Sequence, residues 1–465
     1  MADEATGRRP DLILIMTDQQ RSDQIGYASG GHFETPILDA LAGQGVIFDT
    51  AYSASTTCVP ARVALLTGIQ PHRLPTQEND AALREGFWTV AHELRRAGYE
   101  TALIGKMHFA PVHSQHGFET MKLCEHIRWQ GLGPLSRARG DVFDDYHDWL
   151  LEHGLDDWRL TDDGPMPASY PAEVHPTEWI EREASSFLAA RDRSRPLFLV
   201  ISFLHPHAPY DPPQPYASMY DPADSKLPAD GFDANGKLPL VFQMAADMSQ
   251  TRAEAEDPVR VRAFLATARG LVRQIDDAVG RIVPQLDLDN TRVFFTSDHG
   301  DYSGHRGLMR KNPWVPFDDL ARVPFFVTGG GIAGGRRIPE LVQSCDFALT
   351  CLDFAGVSAP VGVEFDTRSL RPILDGHPGP GDLGRDVLCA TGRPGWPMIR
   401  SGRYKYIEHV VHAELGQRVL FDLDTDPAEQ VDLFEDPDYH DIGRELAERL
   451  HARTAQPVLD VPATP

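Results

Sequence analysis

Short apolar runs alternate with longer amphipathic patterns over most of the chain. Apolar runs of about four to eight residues predict buried strands, and apolar residues spaced three or four apart predict helices. Because the two patterns alternate, the sequence predicts an α/β domain with a mostly parallel sheet. The predicted strands are Leu12–Met16, Val46–Ser53, Thr101–Ile104, Leu197–Phe203, Arg292–Thr296 and Val323–Val327. The predicted helices are Thr35–Gln44, a helix that starts within Pro60–Leu66, Thr89–Ala97 and a long helix over Pro258–Leu286.

The last part of the chain has a different pattern. Residues 371–385 are rich in Gly and Pro, which is typical of a linker. The runs after it predict short antiparallel strands and a terminal helix over Asp441–Arg453. We therefore expect a large α/β domain over residues 1–375 and a C-terminal subdomain, a small antiparallel sheet with a terminal helix, over residues 386–465. The strands expected in this subdomain are Met398–Arg400, Tyr404–Ile407 and Val419–Leu423.

Polar side chains follow several of the predicted strands directly. Open α/β sheets bind ligands beyond the carboxyl ends of their strands, so residues at these positions are expected to converge on one edge. The segment Asp211–Asp257, which has little periodicity, predicts long loops over that edge. The residues at the strand ends are Asp18, Lys106, His205, His207, Asp298 and His299.

Composition limits the classes of partner. The chain has 465 residues, of which 42% are hydrophobic and 24% charged, as is usual for a globular protein. Its formal net charge is −24, which argues against nucleic acid or an anionic membrane as a partner. An anionic substrate would therefore need a locally basic pocket. The longest apolar runs, such as Leu197–Leu204, are much shorter than a membrane span.

The N-terminal residues and the cysteines indicate the cellular compartment to expect. Met1–Pro10 is polar and lacks the apolar region of a secretory signal. The cysteines are few, odd in number and scattered, which disfavours a disulfide framework and fits a reducing compartment. We therefore expect a cytoplasmic protein. The cysteines are Cys58, Cys124, Cys345, Cys351 and Cys389.

The sharpest motif is Cys-Val-Pro-Ala-Arg at residues 58–62, followed by Leu-Leu-Thr-Gly at residues 65–68. This run resembles the signature of the sulfatases, a formylglycine-dependent family within the alkaline phosphatase superfamily. Further segments resemble the same family in the same order along the chain, so the likeness spans nearly all of it. They are residues 12–20 with Asp18, Gly-Lys-Met-His at 105–108, Pro-His-Ala-Pro at 206–209, Ser-Asp-His-Gly-Asp at 297–301 with Lys311, and residues 398–406 and 420–427.

The resemblance implies an alkaline-phosphatase-like sandwich with a large central sheet and a small C-terminal antiparallel subdomain. It also implies that a separate formylglycine-generating enzyme oxidises Cys58 to formylglycine. The hydrate of that residue offers two hydroxyls: one attacks sulfur, and the other later expels sulfate. The expected substrate is a small sulfate ester, and the sequence leaves a homo-oligomer open.

A divalent cation is the expected cofactor. Asp18 and Asp298 supply carboxylate oxygens from two strand ends, Gln19 an amide oxygen and His299 a nitrogen. Together with residue 58, this set suits Ca²⁺ first, while the histidine leaves Mn²⁺ or Mg²⁺ open.

The resemblance also implies catalytic roles for Cys58 and five further residues. Arg62 lies one helical turn after Cys58 and would hold its hydroxyl and a metal-binding carboxylate. Two lysines would bind the sulfuryl oxygens, and two histidines would act as the base for elimination and as the group at the leaving oxygen. His205 matches no family position well and is expected to be structural. The lysines are Lys106 and Lys311, the histidines are His108 and His207, and Tyr210 and Trp314 are candidates for the substrate pocket.

Two positions depart from many sulfatases. Gln19 replaces a second adjacent Asp, and His299 replaces an Asn; both also resemble the phosphonate monoester hydrolase branch of the superfamily. A phosphonate monoester or phosphodiester hydrolase is therefore the alternative function. The Lys106 and His108 pair favours sulfate. A binding protein that has lost the chemistry is disfavoured, because Cys58 and all its expected partners are present. Aryl, alkyl, choline and carbohydrate sulfates all remain open as the natural substrate.

Overall fold

A twisted sheet of eight strands forms the centre of the molecule in this computed structural model. Its strand order is β4-β3-β5-β1-β6-β7-β2-β8. All neighbouring pairs are parallel except those of β7, which runs antiparallel to both β6 and β2. The strands are β1 Asp11–Asp18, β2 Val46–Tyr52, β3 Glu100–Gly105, β4 Thr120–Leu123, β5 Leu197–Pro206, β6 Thr291–Ser297, β7 Phe325–Gly329 and β8 Arg336–Gln343. The structure describes residues 8–79, 81–125, 144–155, 165, 171–229, 238–249, 252–377, 385–389, 395–410 and 417–462.

Helices cover both faces of this sheet, because its central strands are apolar on both sides. In β1, Leu12 and Leu14 pack into one core, and Ile13 and Ile15 pack into the other. Parallel sheets buried in this way have continuous apolar strands. The helices are α1 Pro36–Gly43, α2 Cys58–Thr67, α3 Val90–Arg96, α4 Asp145–Glu152, α5 Pro176–Ala190, α6 Leu240–Asp247, α7 Arg252–Ala255, α8 Pro258–Ile282, α9 Asp318–Ala321, α10 Asp346–Ala355, α11 Arg371–Leu374 and α12 His440–Thr454.

The two faces carry different helices. The first core includes residues of α2, α3 and α10, and the second includes residues of α1, α4, α5 and α8. The expected sandwich with a mostly parallel central sheet is therefore confirmed. Among the described residues, no helix is both long enough and apolar enough to span a bilayer.

Several details differ from the sequence prediction. The long helix ends at Ile282 and continues as a 3-10 turn over Val283–Gln285, because Pro284 lacks the N–H of a regular helix. The strand expected at Val323 begins at Phe325, after Pro324, which cannot donate to the ladder. The segment expected to be long loops contains α6 and α7; residues 230–237 and 250–251 of it lie outside the described part.

The C-terminal region forms a second, four-stranded antiparallel sheet in the order β12-β11-β10-β9. Helix α12 packs on one face through Leu446 and Leu450, which meet Ile399 and Leu420. The other face shares a buried cluster with Phe317 from the large domain. Residues 378–384 of the expected linker lie outside the described part, so the domain boundary stays a prediction. The strands are β9 Asp386–Cys389, β10 Met398–Ser401, β11 Tyr404–Glu408 and β12 Arg418–Asp422.

A buried ionic cluster joins the two sheets. Lys405 Nζ of β11 lies 2.8 Å from Asp318 Oδ1 and 2.6 Å from Glu429 Oε1. Arg306 donates to Glu429 as well, and its guanidinium lies 3.7 Å from the centre of the Phe317 ring. Asp318 and Arg306 both belong to the segment between β6 and β7. The C-terminal sheet therefore anchors that segment.

We expect Lys405→Met to lower the free energy of unfolding by about 3 to 5 kcal/mol, since it leaves the buried Glu429 and the partly buried Asp318 without their ammonium partner. Thermal and denaturant unfolding would measure the change. Arg444→Met is the control, because Arg444 pairs with Asp441 on the surface, where the two side chains are 70% and 90% exposed. Equal midpoints for both variants would contradict this account of the cluster.

Candidate active site

Two aspartates lie side by side at the carboxyl edge of the sheet. Strands β1 and β6 are parallel neighbours with Thr17 opposite Ser297, so the next residues, Asp18 and Asp298, are adjacent. Both are buried, with 0% and 1% exposure. Two carboxylates so close and so far from water need positive charge between them. The ends of these two parallel strands therefore converge, as the sequence predicted.

Arg62 supplies that charge from helix α2. Its Nε lies 2.9 Å from Asp298 Oδ2, and an outer nitrogen lies 3.0 Å from Asp18 Oδ2. Its other outer nitrogen donates to the carbonyl of Lys106 at 2.7 Å and to Ser202 Oγ at 2.8 Å. The guanidinium therefore joins four segments of the chain, and its fixed fork of donors matches two carboxylates at once.

Cys58 is the first residue of α2, a helix of ten residues that are all buried. Its Sγ lies 2.8 Å from Lys311 Nζ, 3.1 Å from His299 Nε2 and 4.0 Å from Asp18 Oδ1. The dipole of the helix also favours an anion at this end. Residue 58 thus stands where a nucleophile would be held in its anionic form.

Four donor groups, one of them residue 58 itself, fit one divalent cation. Ligand atoms of Asp18, Cys58, Asp298 and His299 all lie within 4.8 Å of one another. His299 Nδ1 lies 2.9 Å from the carbonyl oxygen of Gly300, which holds the proton on Nδ1 and leaves the Nε2 lone pair facing the group. Two carboxylates, one imidazole and an oxygen at residue 58 would suit Ca²⁺, Mn²⁺ or Mg²⁺.

Gln19, the fifth expected ligand, is oriented by two residues. Its side-chain nitrogen donates to Asp301 Oδ2 at 2.5 Å and to the Tyr210 hydroxyl at 2.8 Å, and that hydroxyl donates to the same Asp301 oxygen at 3.1 Å. Its backbone N–H donates to Asp298 Oδ1 at 3.0 Å. With the amide nitrogen held in this way, the amide oxygen is the atom left to bind a cation. Gln19 as a ligand stays a prediction.

The two lysines contact different members of the site. Lys106, after β3, donates to Asp18 and is buried. Lys311 contacts Cys58, and its Nζ also lies 3.3 Å from His207 Nε2 and 3.4 Å from His299 Nε2. Lys311 therefore contacts residue 58 and both histidines.

His108 is positioned through its backbone. Glu125 Oε1 accepts the N–H groups of Met107 at 2.9 Å and of His108 at 2.7 Å. His108, like Gln19, holds a left-handed backbone conformation, with φ of 64° and 66° respectively. Such conformations are uncommon for residues with a Cβ and cluster at functional sites.

The charges of the site shift its pKa values. Burial and the Asp18 carboxylate raise the pKa of Cys58, but Lys311, Lys106 and His299 outweigh them and lower it to about 7. Burial lowers the pKa of His108, with Lys106 adding to the effect, and burial together with Lys311 lowers that of His207. Both rings are therefore neutral near pH 7. Burial opposes protonation of His299, yet Asp298 and the Cys58 sulfur raise its pKa.

The structure brings nearly all the expected site residues together through direct contacts. His108 lies among the same charges. His205 lies apart from Cys58, against His175 and Asp211. Sequence reasoning missed the residues that hold the site in place. The sequence held a weak signal for two of them, because Asp301 stands inside the motif at residues 297–301 and Glu125 follows a strand as the other site residues do. It held no signal for Ser202 or for the contact of Tyr210 with Gln19.

Comparison with known proteins decides the family. The model of the family described as Sulfatase matches residues 10–357. The chain belongs to the sulfatase family. It is 32% identical to an arylsulfatase of Clostridium perfringens over 93% of this chain and 91% of that protein. It is 29% identical to a choline-sulfatase of Rhizobium meliloti over 93% of this chain and 84% of that protein. The expectation of a sulfuric ester hydrolase of the alkaline phosphatase superfamily is confirmed.

Among solved structures, this sulfatase is similar to the phosphonate monoester hydrolase of Agrobacterium radiobacter. The TM-score is 0.79 at 24% identity, and the match covers 96% of each chain. At that identity the likeness shows the fold. Substrate preference has to be argued from the site.

Unmatured, metal-free protein should show an ultraviolet thiolate absorbance that appears with a midpoint at about pH 7. The ordinary thiol midpoint is about 8.5. The signal should be absent from Cys58→Ala, because burial raises the pKa of the Cys345, Cys351 and Cys389 thiols. Lys311→Met should move the midpoint upward. A midpoint at or above the ordinary value in the parent protein would refute the electrostatics described here.

Proposed function

We propose that this sulfatase hydrolyses sulfate monoesters through a formylglycine derived from Cys58, beside one divalent cation. The observation that carries the proposal is the position of residue 58. It stands at the start of a buried helix, between Lys311 and the group formed by Asp18, Asp298 and His299. An oxygen nucleophile there would face both a cation and a basic side chain.

The donor set fits the cation that the family implies. Asp18, Asp298, His299 and residue 58 would hold it, with Gln19 as a further oxygen ligand; Ca²⁺ is the first candidate. The ion supplies positive charge that favours an ionised hydroxyl and attracts the sulfuryl oxygens. Arg62 occupies one oxygen of each aspartate and so leaves Asp18 Oδ1 turned toward residue 58.

Formylglycine supplies, as its hydrate, one hydroxyl for attack and a second through which sulfate is released. Cys58 is buried, so the maturation enzyme would have to act on the chain before it folds. That enzyme is the one macromolecular partner we propose. A cytoplasmic location stays a prediction; the five cysteines, which suggested it, are all buried and none of them forms a disulfide.

Positive side chains would bind the sulfuryl oxygens. Lys311 is half-buried and directed at residue 58, so a sulfur atom bonded there would bring its oxygens within reach of Nζ. Lys106 is fully buried and shares its charge with Asp18. We propose that both lysines bind the sulfuryl oxygens, Lys311 most directly and Lys106 from its place beside the Asp18 carboxylate.

The histidines have distinct proton roles. The His207 ring donates from Nδ1 to the carbonyl of Ala208 at 2.9 Å, so its Nε2 accepts from Lys311. Because the ring is neutral at rest, the proton for the leaving oxygen would come through the Lys311 and His207 pair once an anionic substrate raises the pKa of His207. A neutral His108 is suited to take the proton that accompanies sulfate release.

Phosphonate monoester or phosphodiester hydrolysis is the second candidate. Gln19 and His299 favour it, because both also resemble the phosphonate monoester hydrolase branch. Those two residues would contact only the cation, however, whereas Lys106 and His108 would act on the transferred group. We therefore place sulfate first. An aryl sulfate and a choline sulfate are the first substrates to try, after the names of the two relatives.

Protein produced together with a formylglycine-generating enzyme should carry an aldehyde, or its hydrate, in place of the Cys58 thiol. Peptide mass spectrometry measures this directly. Cys124 and Cys345 are internal controls and should remain thiols. Full activity in protein whose residue 58 is an unmodified thiol would contradict the proposal.

Asp18→Ala should abolish binding of the divalent cation to matured protein, because it removes a charged ligand and leaves Arg62 and Lys106 unbalanced. Calorimetric titration with Ca²⁺ would detect the loss. Asp366→Asn is the matched control, since Asp366 is another buried aspartate paired with an arginine, Arg73, at 2.9 Å. Unchanged Ca²⁺ affinity in Asp18→Ala would place the cation elsewhere.

The matured enzyme should have a higher kcat/KM for an aryl sulfate than for the matching phenylphosphonate ester. Lys106→Ala and Lys311→Ala should each lower turnover about 100-fold or more, since losing one such donor typically costs roughly 2.7 to 4 kcal/mol of transition-state stabilisation. Lys122→Ala is the control, because Lys122 is 47% exposed and lies on β4. A preference for the phosphonate ester would make the second candidate the correct one.

A further inference from the structure

A second group of side chains that could hold a metal ion lies in the segments next to His207. His175 precedes α5, His205 lies near the end of β5, and Asp211 follows in the next segment. All three are buried, with exposures of 0%, 0% and 2%. None of them has a role in the chemistry proposed above.

The three side chains converge on one point. His205 Nε2 lies 3.6 Å and His175 Nε2 lies 4.0 Å from Asp211 Oδ1, and the two imidazole centres are 4.5 Å apart. Both distances are too long for hydrogen bonds. Ligands held about 2.1 Å from a tetrahedral zinc ion lie about 3.4 Å from one another, which is close to the spacing seen here.

The surroundings of His205 allow the tautomer that a metal requires. Its Nδ1 lies 3.3 Å from Thr177 Oγ1, which can keep the proton on that nitrogen. Its Nε2 is buried and has no hydrogen-bond partner among the described residues, although it faces a carboxylate. A buried nitrogen left in this way is costly unless something binds it.

His175 requires one adjustment. The backbone N–H of Thr177 approaches its Nδ1 at 3.3 Å, at the start of α5. Binding of an ion through Nε2 puts the proton of this ring on Nδ1, so that contact is given up. It is a long contact, and a metal–nitrogen bond would replace it.

We propose that His175, His205 and Asp211 bind a second divalent ion of the zinc type. Two imidazoles and one carboxylate suit zinc and its neighbours in the transition series, whereas calcium takes oxygen ligands. This ion would differ in kind from the one proposed at Asp18 and Asp298.

The ion would position part of the active site. His205 is two residues before His207, and Asp211 directly follows Tyr210, which holds Gln19. An ion here would tie the start of α5 to the segment that carries His207 and Tyr210. This consequence rests on the proposed function; the binding of the ion does not.

The test uses the full chain with Cys58→Ala, Asp18→Ala and Asp298→Ala together, so that the first site cannot contribute. After chelation and equilibration with zinc alone, elemental analysis should find one zinc per chain. X-ray absorption should show nitrogen and oxygen ligands at about 2.0 to 2.2 Å and no sulfur. Adding His205→Ala or Asp211→Asn should remove that zinc. His116→Ala should not, since His116 is also fully buried but lies far along the chain from the cluster.

Circular dichroism of each variant shows whether it is folded. The X-ray absorption spectrum of the triple variant, which carries the three substitutions at the first site, tests the proposed zinc site even if the His205 or Asp211 variant unfolds. Absence of zinc from the triple variant, sulfur in its shell, or zinc retained after His205→Ala would overturn the proposal. Loss of sulfatase activity has no bearing on these readouts, so failure of the proposed function is seen separately.

Discussion

The site depends on one interaction, the contact of the Arg62 guanidinium with Asp18 and Asp298. Two carboxylates at adjacent strand ends would repel each other and lose hydration without it. Arg62 lies one turn after Cys58 on a buried helix, so the contact also fixes the start of that helix over the two strands. A shift of the helix along its axis would break the ionic contact and move residue 58 away from Asp18.

A local group of positive side chains lets this acidic protein bind an anionic substrate. The chain has a formal net charge of −24, yet Arg62, Lys106 and Lys311 meet within this one site. In a buried environment such charges act more strongly than on the surface. The net negative charge of the protein would repel a sulfate ester at long range, while the positive side chains of the site attract it at short range. Because salt screens the long-range repulsion most, the ester should associate faster at moderate salt than at low salt.

The features of the fold and the site that could be predicted are those whose interacting residues are close together in the sequence. Strand ends and motifs are local in sequence, and they placed Asp18, Asp298 and Cys58 correctly at one edge. Strand direction is not encoded in an apolar run, so the reversal of β7 was invisible. The orientation of Gln19 depends on a tyrosine and an aspartate that are 191 and 282 residues away, and no spacing rule reaches so far.

The pair of His205 and His207 shows the same limit. Only Pro206 separates the two residues, but His207 contacts Lys311, whereas His205 packs against His175, which precedes helix α5. Their difference arises from packing. Sequence reasoning separated them only because one matched a family motif and the other did not.

The central claim is that residue 58 carries the nucleophile and that its second hydroxyl releases the sulfate. Cys58→Ser tests it most directly, because serine offers one hydroxyl in the same place and has no second one. After incubation with an aryl sulfate, intact and peptide mass spectrometry should show one sulfate group per chain on residue 58, with a single burst of phenol and no further turnover. Continuous turnover by this variant, or sulfate carried on a different residue, would contradict the account.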